Sequence, residues 1–366
     1  MQLKNVLNLS VLGGALLANA HPGHTHHEER EVLEQRSFKR DLSKGLQKCE
    51  AQLEASGLRA RAEARRRALV DVHRRQLQTR GDTWEVLNKS HLSDRPVSPS
   101  TAETELFDDD NKICLLGPSA EGETGPYWIP GEHIRGNIRE GEQGVPVIIE
   151  EQFIDVETCE PIRGIYNEIW SANATGVYSG LVAEGNGNDK DYANYQRTFL
   201  RGVQQTDDDG VVHYSTLFPG HYANRTTHYH NIVHWNATLL PNNTLAGGSI
   251  PHIGQIFFDQ DMISKVEATS PYNTNSIPVT TNEEDRVVNV ETNNADTDPF
   301  LNYVYLGESI EDGLFAWLTV AVNTSAIQYP YWTNVYTASG GEAVCGTCDG
   351  DPDAVNGGLP STTTAA

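Results

Sequence analysis

Long apolar runs are missing from this chain. Beyond residue 17 no segment approaches the roughly 18 consecutive apolar residues that a membrane-spanning helix needs. Basic residues are scarce and unevenly spread: 27 Lys and Arg face 50 Asp and Glu, for a net charge of −23. Residues 1–100 hold 17 basic against 12 acidic residues, whereas residues 101–366 hold 10 against 38. A domain that acidic repels nucleic acid and anionic membranes, so neither is expected as a partner. Cysteine is sparse as well, with Cys49, Cys114, Cys159, Cys345 and Cys348 only. In an exported chain these would form disulfides, an odd number leaves at least one over, and spacing alone does not select the connectivity. Cys345 and Cys348 have a redox-type spacing but stand in a Gly-rich stretch without βαβ context. No second Cys/His pair lies nearby to complete a zinc site. No internal repeat is visible.

What is present begins with the pattern of an export signal. Lys4 precedes an apolar stretch from Val6 to Leu17, and Ala18 to Ala20 has the small-x-small form of a cleavage site. Residues 1–20 are therefore expected to be a signal peptide and the protein to be secreted. Seven N-x-S/T sequons, at Asn8, Asn88, Asn173, Asn224, Asn236, Asn242 and Asn323, agree with that route, although Asn8 falls inside the signal. Residues 21–40 form a His-rich leader (His21, His24, His26, His27). A histidine freed by cleavage could brace copper, but Lys39-Arg40 resembles a dibasic site that would remove the leader.

Residues 41–112 read as a basic helical arm and linker. Leu46, Cys49 and Leu53 recur at helical spacing, Gly57 interrupts, and a helix rich in Ala and Arg resumes from Arg59 to Gln78. Its arginines are expected to lie on an acidic surface, either the chain's own or that of a second copy in a homodimer paired through these helices. From residue 113 the texture changes. Val147–Val156, Gly164–Trp170, Thr198–Gln204, Val211–Phe218, Thr227–Trp235, Ile253–Asp259, Arg286–Val290 and Leu314–Val322 are short runs rich in β-branched and aromatic residues, separated by turn signals. With no helical segment between them, they predict a mainly β protein. A β-sandwich catalytic core over residues 113–335 would follow the N-terminal helical segment, with a disordered Gly/Thr-rich tail over 336–366.

The chemistry concentrates between Trp170 and His230. On a strand, residues i and i+2 share a face, so His228 and His230 can reach one metal ion while Tyr229 turns away. His234 shares their parity, which leaves a three-His zinc site open. Tyr222 follows the strand ending at Phe218, and Tyr178 follows a turn over residues 173–176. His213 and His221 border the motif and are expected in surface or turn roles. Arg201 and Asp207 flank a hairpin and are expected to form a structural ion pair.

In the order of its segments the chain resembles the intradiol ring-cleavage dioxygenases, most closely their secreted fungal branch. The resemblance covers roughly residues 113–325. Its carriers are the segments Glu123–Tyr127, Asp155–Pro161, Glu168–Gly180, Arg201–Asp207, Pro219–Tyr222, Arg225–His230 and His252–Phe258. It implies that Tyr178, Tyr222, His228 and His230 bind Fe(III) and that Arg225 supports the reaction beside Tyr222. Gln255 and Tyr127 would face the substrate, a small aromatic diol that is opened between its hydroxylated carbons with O2. Residue chemistry agrees: phenolate oxygens are hard anionic donors that favour the ferric state, and two phenolates with a hydroxide balance three positive charges. The competing reading is a secreted β-sandwich binding module whose His/Tyr cluster is structural or holds a redox-inert metal.

Overall fold

The computed structural model describes residues 28–81, 113–114 and 125–343, apart from 184, 188–189, 292–298, 331, 333 and 338. Expectations for the signal, for residues 21–27 of the leader, for the linker within 82–112, for Cys345 and Cys348, and for residues 344–366 of the tail thus lie outside the described residues. Two helices come first, α1 (Glu28–Ala55) and α2 (Leu58–Gly81). The strands β1 (Ile113–Cys114), β2 (Pro146–Asp155), β3 (Glu160–Pro161), β4 (Tyr166–Trp170), β5 (Arg201–Gln205), β6 (Val211–Leu217) and β7 (His228–Trp235) follow. A short hairpin, β8 (Thr238–Leu239) with β9 (Leu245–Ala246), leads into β10 (Ser249–Phe257). After it come helices α3 (Gln260–Glu267) and α4 (Arg286–Glu291), strands β11 (Asn302–Tyr305) and β12 (Leu314–Val322), and the hairpin β13 (Asn334–Thr337) with β14 (Gly340–Ala343).

Two sheets carry the fold. In the first, β1, β12, β2 and β3 lie in that order, with β11 also on β12 and β6 also on β2; the second runs β10-β7-β4-β5. Between them lies a core that includes Ile149, Phe153, Tyr214, Tyr229, Val233, Ile256, Leu318 and Val320. The strand β12 reads as an apolar run broken only by Thr319 because both of its faces are covered. Leu314, Ala316, Leu318 and Val320 face the second sheet, while Phe315 and Trp317 meet Val70 of α2.

The helical arm packs on the outer face of the first sheet. Leu42 and Leu46 meet Val156 and Ala321, and Leu53 and Leu58 meet Ile154. A disulfide joins Cys49 to Cys159. Arg65 and Arg66 converge on the fully buried Glu150, at 3.1 and 2.8 Å, and Arg61 meets Asp209 at 3.0 Å. Arg61, Arg65 and Arg66 thus find acidic partners within their own chain.

Several expectations are corrected. Arg286–Val290 is helical, not extended, and α3 is a second helix inside the β domain. Asp285 caps the amides of Val287 and Val288, and both valines pack on Phe257, so tertiary contacts outweigh the strand preference of β-branched residues. The first arm helix starts at Glu28 and contains Lys39-Arg40, while Gly57 breaks it from α2 with φ +70°. Residues 334–343, placed partly in the tail, form the last hairpin, whose Tyr336 amide donates to Pro130 O at 3.0 Å.

Candidate metal centre

Alternation along β7 decides which side chains meet. Tyr229, Asn231 and Val233 point between the sheets, so His228 and His230 point to the outer face of the second sheet. There a second apolar cluster gathers Tyr127, Trp128, Trp170, Tyr178, Tyr222 and Ile232. Trp170, opposite His230 on β4, stacks on its ring at 4.6 Å and 3°. A β-carbon on Gly125 would lie 3.3 Å from His230 Cε1, so the incoming chain closes tightly over the imidazole.

Tyr178 arrives from a turn held by Asn173, whose Oδ1 accepts the amides of Thr175 and Val177. The turn needs glycine at position 176, where φ is +82° and a β-carbon would fall 2.3 Å from His221 O. The Tyr178 hydroxyl comes to rest 3.3 Å from His228 Nε2 and 3.1 Å from His230 Nε2, and the two imidazole nitrogens are 3.1 Å apart. Tyr222 closes the fourth side, its ring 5.4 Å from that of Tyr178 and 5.6 Å from that of His228. Tyr127 lies over both tyrosines, at 4.9 and 5.6 Å. All five are buried.

The donors suit a hard cation of high charge. His228 Nδ1 lies 2.7 Å from Thr226 O, and a carbonyl can only accept, so Nδ1 carries the proton and Nε2 offers its lone pair inward. Burial pushes the Tyr178 hydroxyl well above the usual phenol range, and that of Tyr222 upward too, with Arg225 offsetting only part. A cation among these groups would make phenolate the stable form. Among the described residues no group of three His, Cys, Asp or Glu is placed to hold a metal, and the groups beside His228 and His230 are the phenols of Tyr178 and Tyr222.

Arg225 is fully buried beside the centre. Its Nη1 donates to Tyr222 Oη at 3.3 Å, its Nη2 to Gln255 Oε1 at 2.5 Å, and its Nε to Asp285 Oδ2 at 2.9 Å. Gln255 reaches this position because β10 pairs it opposite His230. A second buried guanidinium, Arg201, donates to the carbonyls of Tyr127 and Ser179 at 2.7 and 2.9 Å and lies 5.9 Å from the Tyr178 ring centre.

The neighbouring polar residues fall elsewhere. His234 meets Glu168 Oε2 at 2.8 Å and does not join the cluster, which removes the three-His arrangement. His221 is buried rather than superficial, held between Glu267 and Ile277 O at 2.7 Å each. His213 is half-buried and meets Glu150 at 3.2 Å. Arg201 faces Glu132 at 3.6 Å, not Asp207, whose carboxylate accepts the amides of Asp209 and Val211 in the hairpin turn. Asp285 and the stacking role of Trp170 escaped the sequence reading. An aspartate just before the apolar run Val287-Val288 is a helix-start signal that could have revealed the cap.

A family model described as Dioxygenase matches residues 124–275. No curated protein sequence matches. Among solved structures, the chain is similar to an intradiol ring-cleavage dioxygenase from Tetranychus urticae, at 33% identity over 59% of this chain and 98% of that one, with a TM-score of 0.48. It is also similar to the dioxygenase domain of a dioxygenase carbohydrate-binding protein fusion from Streptomyces sp. SirexAA-E, at 20% identity over 54% and 94% of the chains, TM-score 0.32. Catechol 1,2-dioxygenase from Pseudomonas arvilla C-1 matches at 16% over 55% and 60%, TM-score 0.34.

Proposed function

The chain belongs to the intradiol ring-cleavage dioxygenase family, and on that footing we propose that it holds Fe(III) through Tyr178, Tyr222, His228 and His230. Its substrate is a catechol-type ring, which it opens with O2 between the two hydroxylated carbons to a muconate-type dicarboxylate, both oxygen atoms being retained. The observation that supports this is the triangle of Tyr178 Oη, His228 Nε2 and His230 Nε2, buried with Tyr222 alongside.

The bound ferric ion would supply Lewis acidity, polarising the ring and stabilising phenolate oxygens at neutral pH. The side chains supply the rest. Tyr222 would accept a proton from a substrate hydroxyl as the diol enters, and Arg225 Nη1 would hold the resulting phenol by the hydrogen bond it already makes. Arg225 and Gln255 present a preorganised positive edge to negative charge developing on the ring. Tyr127 and Trp170 wall the site, and its burial excludes water from the reacting carbon.

Export is part of the reading. The Cys49–Cys159 disulfide fits an oxidising compartment, and Asn224, Asn236 and Asn242 are exposed as glycan acceptors must be. Ferric-loaded protein is expected to be burgundy from tyrosinate-to-iron charge transfer and to consume O2 with a panel of catechols. A colourless sample without O2 uptake would return the His/Tyr cluster to a structural or redox-inert role.

A further inference from the structure

Arg225 acts through its two terminal nitrogens, and their direction is set by a residue sixty positions away in the chain. Asp285 is fully buried. Its Oδ1 caps α4, accepting from the amides of Val287 at 2.7 Å and Val288 at 3.0 Å. Capping needs only that oxygen. The other, Oδ2, faces the metal centre and accepts from Arg225 Nε at 2.9 Å and from the Thr226 amide at 2.8 Å.

Both contacts bear on the centre. A guanidinium is planar, so fixing Nε fixes where Nη1 and Nη2 point, here at Tyr222 and Gln255. The Thr226 contact pins the residue whose carbonyl accepts from Nδ1–H of His228 at 2.7 Å, which leaves Nε2 of that ring unprotonated where it faces Tyr178 and His230. Asp285 also supplies the counter-charge that a buried guanidinium requires.

We propose that Asp285 is a positioning residue for the ring-opening reaction: it aims Arg225 at Tyr222 and Gln255 and anchors the segment that orients His228. This rests on the dioxygenase reading of the same site. The Asp285 carboxylate touches no reacting atom and works through Arg225 and Thr226.

The test uses the full ferric-loaded chain and its Asp285→Asn and Asp285→Glu variants. Four quantities are read: iron per chain, the visible tyrosinate-to-iron band with and without catechol under anaerobic conditions, kcat and KM by O2 uptake, and melting temperature. In D285N the iron content is expected to hold within about two-fold while the band shifts and kcat falls about 10- to 100-fold, as when a partner that orients a metal's ligands is lost. KM should change less than kcat. D285E keeps the charge but is one methylene too long for a site with no free surface, so a smaller shift in band and kcat is expected. A wild-type band and kcat in either variant would overturn the proposal, and D285E decides alone if D285N fails to fold. A lower melting temperature and lower iron content with kcat per bound iron unchanged would overturn it too, leaving only a helix cap. A wild-type protein that is colourless and inert after loading overturns the dioxygenase reading, and this inference with it. A coloured, active wild type beside an unaltered D285N overturns this inference alone.

Discussion

Each outer face of the sandwich buries a charged cluster, and the two clusters spend their hydrogen bonds differently. On the arm side, Arg65 Nε and Nη2, Arg66 Nε and His213 Nε2 all converge on the carboxylate of Glu150. The result is adhesion of α2 to the first sheet. On the metal side, Arg225 meets Asp285 through Nε, and its Nη1 and Nη2 stay directed at Tyr222 and Gln255. A buried ion pair is mere cement when its donors are absorbed by the pairing itself. It can serve chemistry when one edge of the guanidinium is aimed at something else.

Substitutions should separate these two uses. The largest effect is expected from Tyr178→Phe or His228→Ala, each of which removes a donor from the triangle. Iron and visible colour should be lost after reconstitution and gel filtration, with O2 uptake down by more than the about 100-fold typical of disturbing a metal's supporting residues. Full colour and turnover in Y178F would break the ligand set. Next comes Tyr222→Phe, which should keep part of the iron but change its spectrum and its response to catechol. Losing the proton acceptor should lower kcat by about 10²- to 10⁴-fold, measured per bound iron.

On the arm side the expected effect is on stability alone. Glu150→Ala strands Arg66 without its buried carboxylate and should cost about 3 kcal/mol, at the lower end for a broken buried pair because Arg65 keeps some contact with solvent. Urea unfolding measures the loss, and kcat per iron should not change. A drop in kcat per iron would show that the two faces communicate.

The subtlest contrast lies within β2 itself, where neighbouring glutamates face opposite ways. Burial alone would raise Glu150, but the His213 hydrogen bond and the charges of Arg66 and Arg65 hold it down at about 2. Burial raises Glu151 to about 8, because only the amides of Asn231 and Asn167 donate to it. Glu150 binds its proton less readily folded than unfolded. Its contribution is therefore complete above an unfolded value of about 4.3 and is lost as pH falls toward about 2. Glu151 holds its proton more tightly when folded, so stability falls as pH rises from about 4.3 toward about 8. Unfolding curves of Glu150→Gln should lose the acid-side slope, and those of Glu151→Gln the slope between roughly pH 5 and 8. The same slope as wild type in both variants would contradict the opposed environments.

Much of the architecture was legible because strand patterning is local. Leu314–Val322 reads as a strand and is one, with all nine residues buried, since a central strand covered on both faces is apolar at nearly every position, here all but Thr319. Arg286–Val290 misled for the reverse reason. Its β-branched residues carry a strand signature, yet the cap from Asp285 and packing on Phe257 make it a helix. His221 was expected in a surface or turn role; it does lie in the loop after β6, but Glu267, 46 residues on, and Ile277 hold it buried. Arg201 and Asp207 stand close in the chain, but the hairpin turn absorbs Asp207 and the fold supplies Glu132 to Arg201 instead.

Side-chain alternation along β7 put His228 and His230 on one face and Tyr229 on the other, and the residue types nearby are ones that suit a hard cation. Those properties belong to the chain itself, because a two-residue period survives any packing of the strand. What the sequence could not contain is the closing of the cluster. Tyr178 meets His228 across fifty residues, and Arg225 meets Asp285 across sixty. Such contacts are chosen by how the sheets, turns and helix pack, since no local rule links residues that far apart.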